Sequence, residues 1–506
     1  MSRLSAGQIA DARAMFEFLL AKDPSHLNAH LKLAEIAWRQ GSPREAAARV
    51  LQLADMDVTD AALACEIIAA LLQTGETARA WRGVQDWSSK PDLSGPICWR
   101  LADLCRQLGR HVEALALLDR ALDKGFDNWR VRLERGQALL SIGLLDQAEQ
   151  DFARSLEYFP TCGRAALAMS RLRTQTRQDN HLADLAERLS HVEPGTLDHA
   201  ALEFSRYKEL EDIGSHAEAW DALAHANEIM SWRNPHDEKW EVELLKESVA
   251  RFRSATSQED PIDEGPLPIF IVGLPRSGTT VLERLLGAHS KVASAGELPE
   301  LARQLYWCAD DSAMSAGSAK EVFDATLLGR RYLHQTRWRA EGKPFFIDKQ
   351  PSNWMFAGLI RRALPHARIL HVRRKPIEVC FSNYRAFFGD SYPYSYDLRA
   401  IAKHYRKYRE LLDYWNKALP GEILEVSYDQ LVYDPEPVMR SVLNFCGLGW
   451  EHACLRLDGN STPVVTQSAV QVRQPLHRRA REAWKPYSEQ LARLRKEIAQ
   501  SENQEP

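Results

Sequence analysis

Five glycines, Gly7, Gly41, Gly75, Gly109 and Gly143, stand 34 residues apart, and five residues beyond each lies an alanine: Ala12, Ala46, Ala80, Ala114 and Ala148. The segments read GQIADA, GSPREA, GETARA, GRHVEA and GLLDQA. A period of this length, kept in register five times, restricts the chain to a stack of like supersecondary units, each burying its apolar face against the next. The glycine ends one helix and permits a tight turn into a second, and the small alanine lets that second helix approach closely. Apolar Phe16, Val50, Leu118 and Phe152, nine residues past their glycines, fill the seams between units. Pro24 and Pro160 stop second helices before the chain turns to the next unit. Around residue 177 the glycine is missing, and GSHAEA at 214–219 restores the pattern out of step. The spacing predicts six or seven helical hairpins over residues 1–250.

Such an array resembles tetratricopeptide repeats. The resemblance implies a curved α-helical solenoid whose concave face receives a protein or peptide; a spacer or dimerisation device is the plainer reading. Trp38, Trp81, Trp99 and Trp129 are candidates either for anchors in that groove or for core. The acidic, proline- and glycine-containing SQEDPIDEGPLP at 257–268 breaks the helical period and reads as a linker. The expected organisation is an array over 1–250, a linker over 251–267 and a second domain over 268–506.

Beyond the linker, short apolar runs alternate with amphipathic stretches. IFIVG (269–273), FFID (345–348), ARILHV (367–372) and EILEVS (422–427) read as buried strands, and 279–288, 353–363, 376–388 and 396–418 as helices. This alternation predicts a three-layer α/β domain, a parallel sheet covered on both faces. The segment IVGLPRSGTT then joins a strand to a helix at the carboxyl edge of the sheet, where ligands bind. Gly273 and Gly278 have the spacing of a Walker A phosphate loop, but Thr279 stands where that loop carries lysine. The backbone N–H groups and positive helix end still suit an anion, with Arg276 adding charge and Thr279 and Thr280 adding hydroxyl donors. A kinase would want the lysine and a magnesium-holding aspartate. Neither is evident.

PRSGTT after an apolar strand resembles the 5′-phosphosulfate loop of sulfotransferases, and the likeness runs over most of 268–490. It is nearest to the tyrosylprotein sulfotransferases and bacterial relatives with tetratricopeptide arrays. The resemblance implies 3′-phosphoadenosine 5′-phosphosulfate (PAPS) as donor, no metal, and a hydroxyl acceptor, a protein tyrosine before a saccharide or lipid. Pro275, Arg276, Ser277, Gly278, Thr279 and Thr280 would hold the phosphosulfate. In ARILHVRRKPIEVCFSNYRAF, Arg374 and Ser382 have the family's eight-residue spacing for the 3′-phosphate. FFIDKQPSNWMF places Lys349 at the donor's bridging oxygen, with Arg276 also catalytic. Glu297 in SAGELPEL matches the general base, although the family's arginine two residues on is absent. Tyr428 in EVSYDQL would lie by the nucleotide, and TQSAVQVRQPLHRRAREAW offers Ser468 and Arg473 for the 3′-phosphate.

The same residues admit plainer roles. Glu297 can cap a helix or pair with a surface arginine, Lys349 can be a solvated strand-end charge, and the second domain can sense nucleotide within a non-catalytic scaffold. A net charge of −4 gives no reason to expect nucleic-acid binding across the surface. No run of about 18 uncharged apolar residues predicts a membrane span. Eight cysteines without C-x-x-C pairs suggest neither zinc nor disulfides. A reduced, cytoplasmic setting is the expectation; oligomeric state is not readable.

Overall fold

A computed structural model describes residues 6–256, 265–309, 323–457 and 482–502. Helix α1 (Ala6–Lys22) precedes hairpins α2–α3 (Leu27–Arg39, Pro43–Ala54), α4–α5 (Ala61–Gln73, Thr77–Ser88) and α6–α7 (Gly95–Gln107, His111–Asp123). Then come α8–α9 (Trp129–Ile142, Leu145–Tyr158), α10–α11 (Gly163–Leu172, Leu182–His191) and α12–α13 (Leu197–Asp212, His216–Arg233), closed by α14 (Glu238–Ser254). Gly41, Gly75, Gly109, Gly143 and Gly214 all turn with positive φ between paired helices. Gly7 differs: it lies within α1, so the first glycine of the series marks no turn. Ala46, Ala80, Ala114 and Ala148 are buried at the helix contacts, with Val50, Leu118 and Phe152 in the seams.

The second half runs β1 (Leu267–Gly273), α15 (Thr279–Gly287), β2 (Val292–Ser294), α16 (Glu300–Cys308), α17 (Ala325–Thr336), β3 (Phe345–Asp348) and α18 (Ala357–Ala363). It continues β4 (Arg368–Arg373), α19 (Pro376–Tyr384), α20 (Leu398–Ala418), β5 (Ile423–Ser427), α21 (Tyr428–Tyr433), α22 (Pro435–Cys446) and α23 (Ala492–Glu502). The five strands pair in parallel in the order β2-β3-β1-β4-β5. Strand β2 was not among the expected runs, because three residues are too few to show a period.

Alternation along β1 separates two cores. Ile269 and Ile271 join Leu282 of α15 and Val442 of α22 on one face. Phe270 and Val272 face the other way, into a core that also holds Tyr332, Leu359 and Trp415. That second core does not end at the domain: Phe204, Met230 and Phe252 of α12, α13 and α14 belong to it.

The array therefore grips the second half at two places. At its terminal end, Asn227 Nδ2 donates to Tyr384 O at 3.1 Å, Ser248 Oγ to Met355 O at 2.6 Å, and Lys407 pairs with Glu241 at 2.9 Å. Nearer the start, the hairpin turns dock on α16 and α17. Buried Glu76 accepts from Arg331 Nη2 at 2.6 Å and Gln335 Nε2 at 2.7 Å, and Gln304 Nε2 donates to Gly75 O at 2.9 Å. Arg339 Nη1 donates to Leu108 O at 2.6 Å. Trp81 stacks on Trp338 with ring centroids 5.5 Å apart, and Trp38 meets Tyr306 edge-on at 5.2 Å. Two of the four candidate groove tryptophans thus anchor this joint. Trp99 and Trp129 instead pack within the array, on Phe126 and Phe159.

Candidate active site

The chain leaves β1 through Leu274–Gly278 and enters α15. Two side chains from the next strand–helix unit pin this loop by its carbonyls. Asn383 Nδ2 on α19 donates to Pro275 O at 2.7 Å, and Arg374 Nη1 donates to Arg276 O at 3.1 Å. With these carbonyls held, the loop offers its amide side and the first turn of α15, whose N–H groups lack intrahelical partners and carry the positive end of the dipole. Arg276 itself sits at φ 66°, a left-handed conformation that costs a non-glycine residue about 1–3 kcal/mol. Ser277 Oγ is buried and finds no hydrogen-bond partner among the described residues. Leaving such a group unmatched costs about 1–3 kcal/mol, which an anion's oxygen would offset.

Gly278 has φ 109°, and a Cβ there would lie 2.1 Å from Tyr428 Cδ2. Tyr428, the first residue of α21, closes one side of the loop, and the Arg374 guanidinium lies 4.8 Å from its ring centre. Gly278→Ala is expected to lower stability by about 1–3 kcal/mol from backbone strain alone, with the clash added. Urea melts check this, and Tyr428→Ala in the same chain is expected to return the clash portion only.

The charge here is strongly positive. The Arg276 guanidinium is pushed down to about 9, first by burial and then by its neighbours Arg385, Arg171 and Arg374. Arg171 comes from α10 of the array, and Arg385 is tied to Glu211 of α12 at 2.8 Å. Arg374 also pairs with Glu378 at 3.2 Å. Ser382 lies half-buried on α19. Thr279 and Thr280 are buried in the first turn of α15.

A second constellation forms where β3 ends. Lys349 N donates to Gly296 O at 2.9 Å, which brings the loop after β2 across the strand end. Lys349 Nζ then lies 2.5 Å from Glu297 Oε1 and 3.8 Å from Glu283 Oε2 of α15. Burial pulls the Lys349 ammonium down, but the two carboxylates outweigh it and lift its affinity for the proton. The lysine side chain is 1% exposed and that of Glu297 45%, so the cation lies buried at the back of the cleft to which the carboxylate opens. Glu283 is itself lifted by burial and accepts from Ser294 Oγ at 2.5 Å.

Next to Lys349, Asp348 is fully buried and accepts from Tyr332 Oη at 2.8 Å. Burial raises its carboxyl from 3.8 to about 8. The folded chain thus holds a proton there that the unfolded chain releases above about pH 4. The stability this contributes is full below that pH and is lost as pH rises toward 8. Asp348→Asn is expected to flatten the fall of the urea midpoint between those limits; an unaltered slope would sink the assignment.

Ser468 and Arg473 lie outside the described residues. The single sequence did not reveal Asn383, Arg385 or Arg171. The first two follow Ser382 within FSNYRAF, so that block held a signal. Arg171 held none, because the fold alone brings α10 to this loop. His289, in the turn after α15, bonds Gly449 O at 3.0 Å through Nε2 and receives Lys291 N at 3.1 Å on Nδ1, a structural arrangement.

Residues 268–452 match the family model described as "Sulfotransferase family", and residues 1–62 and 106–172 match tetratricopeptide-repeat models. An uncharacterized protein of Aquifex aeolicus (strain VF5) is 26% identical over 518 residues, spanning 96% of this chain and 67% of its own length. "Protein-tyrosine sulfotransferase 1" of Danio rerio is 29% identical over 274 residues, 48% of this chain and 72% of its own. Among solved structures, the sulfotransferase domain of the Synechococcus PCC 7002 olefin synthase matches at 22% identity and a TM-score of 0.32, over 46% of this chain and 91% of that one. The chain carries a sulfotransferase-family domain behind a tetratricopeptide-repeat array.

Proposed function

We propose that this chain transfers the sulfuryl group of PAPS to a hydroxyl, with a protein tyrosine as acceptor. One observation carries the reading: a buried cation, Lys349, touches an exposed carboxylate, Glu297, beside α15, whose N-terminal loop holds the unpartnered Ser277 hydroxyl. The family match and the relatives named protein-tyrosine sulfotransferase support it.

When bound, the donor supplies the sulfuryl group, which moves as the bond from sulfur to the 5′-phosphate oxygen breaks. The loop amides, the buried Ser277 hydroxyl, Thr279, Thr280 and Arg276 would hold the 5′ end. Lys349 would stabilise the negative charge that grows on the departing phosphate, since a cation fixed in place does so without reorganising. Glu297 takes the acceptor's proton as its oxygen bonds to sulfur. Arg374, Ser382 and Tyr428 serve the 3′-phosphate and nucleotide end.

The test is direct. Incubation with radiolabelled PAPS and a panel of tyrosine peptides, phenols and glycans is expected to label tyrosine peptides. No transfer to any acceptor would reject the reading, and label on glycans alone would reassign the acceptor.

A further inference from the structure

Opposite the Glu297–Lys349 pair the structure is not closed by the sulfotransferase-family domain. It is closed by the array. A cavity of about 340 Å³ is lined on one side by Glu297 and Lys349 and on the other by α6 and α8, whose Arg106, Gln107, Glu134 and Gln137 face it. We propose that these two helices form the acceptor-recognition wall of the site, taking an extended stretch of polypeptide that flanks the acceptor hydroxyl. The inference rests on the transferase reading above and adds to it the part of the chain that selects the substrate.

The wall is held in place before anything binds. Arg106 and Gln107 both lean on Asp103, at 2.5 Å and 2.8 Å. Glu134 accepts from Trp99 Nε1 at 3.0 Å, and burial raises its carboxyl above the usual range. The array cannot swing away, since Arg339 ties the end of α6 to the domain through Leu108 O and is itself bound to Glu300 at 2.8 Å. Side chains fixed in advance lose little entropy when a ligand arrives.

Size and chemistry select the occupant. At about 340 Å³ the cavity lies near the lower limit of roughly 300–1,000 Å³ for ligand sites, so it takes a thin segment and not a folded surface. Gln107 and Gln137 each present an amide donor and an acceptor, the complement of a peptide group. Arg106 and Glu134 offer both charge signs, so no uniformly charged polymer is favoured. No tryptophan, tyrosine or phenylalanine lines the cavity among the described residues, and His111 is its one aromatic ring, so a sugar finds little flat apolar face to rest on.

The experiment compares wild type with Gln107→Ala/Gln137→Ala and with Gln137→Trp, which fills the cavity by bulk. Labelled PAPS is supplied with tyrosine peptides or with p-nitrophenol, an acceptor that carries no flanking polypeptide. In both variants the ratio of kcat/KM for peptide to kcat/KM for p-nitrophenol is expected to fall tenfold or more. A ratio within twofold of wild type overturns the recognition wall while the transferase reading stands. A wild-type chain that sulfates only glycans, with the variants impaired on them, overturns the peptide assignment. Failure of the transferase reading looks different: wild type then labels no acceptor at all, p-nitrophenol included, and the wall falls with it.

Discussion

Replacing Glu297 with glutamine is expected to slow sulfuryl transfer by about 10²–10⁴-fold, the range contributed by a positioned general base, while calorimetry still shows uptake of desulfated donor. The substitution keeps the shape of the side chain but turns the carboxylate whose Oε1 lies 2.5 Å from Lys349 Nζ into a neutral amide, so the capacity to accept a proton is lost together with the ion pair to Lys349. The exposed position of Glu297 makes misfolding a poor rival explanation. A rate within threefold of wild type would reject the residue as base, and the search would move to other groups bordering the cleft.

Lys349→Met is expected to reduce kcat by about 10²–10³-fold, as loss of one fixed electrostatic partner does. The effect on donor affinity should be smaller, because the loop amides and the Arg276 region remain. Methionine preserves the apolar stem of a side chain that is almost wholly buried, but leaves Glu283 and Glu297 facing one another without a cation between them. A modest loss of stability is therefore also expected, seen as a lower urea midpoint. The kcat-against-KM split separates the two effects. A variant that melts early but turns over at the wild-type rate would show that Lys349 is only a structural counter-ion.

Much of this was legible from residues. The 34-residue glycine series marked the hairpins because a left-handed turn residue leaves a strong local signature, and Gly41, Gly75, Gly109 and Gly143 turn as expected. The buried strands IFIVG, FFID and ARILHV were legible because a parallel sheet covered on both faces needs continuous apolar runs. What local pattern does not carry is where the two halves meet. Trp81 and Trp38 read equally well as groove anchors or core, and only the fold shows them stacking on Trp338 and Tyr306. Arg171 reads as an ordinary helix residue until α10 is seen to bring it beside Arg276. The pairing of Glu297 with Lys349 joins residues 52 apart, and no periodicity reports a contact made through a loop crossing a strand end.

The apolar face that α12, α13 and α14 lend to the sheet has a consequence for how the chain comes apart. Phe204, Met230 and Phe252 are interior to the same packed volume as Phe270 and Trp415, so water cannot reach one set without reaching the other. The last helices of the array, α12 to α14, are then expected to unfold together with the sheet they cover, whereas the earlier repeats pack in cores of their own, and the point where the sequence pattern changes is not a place where the protein divides. Cutting the chain at the change of pattern would therefore expose the interior of the second half to water.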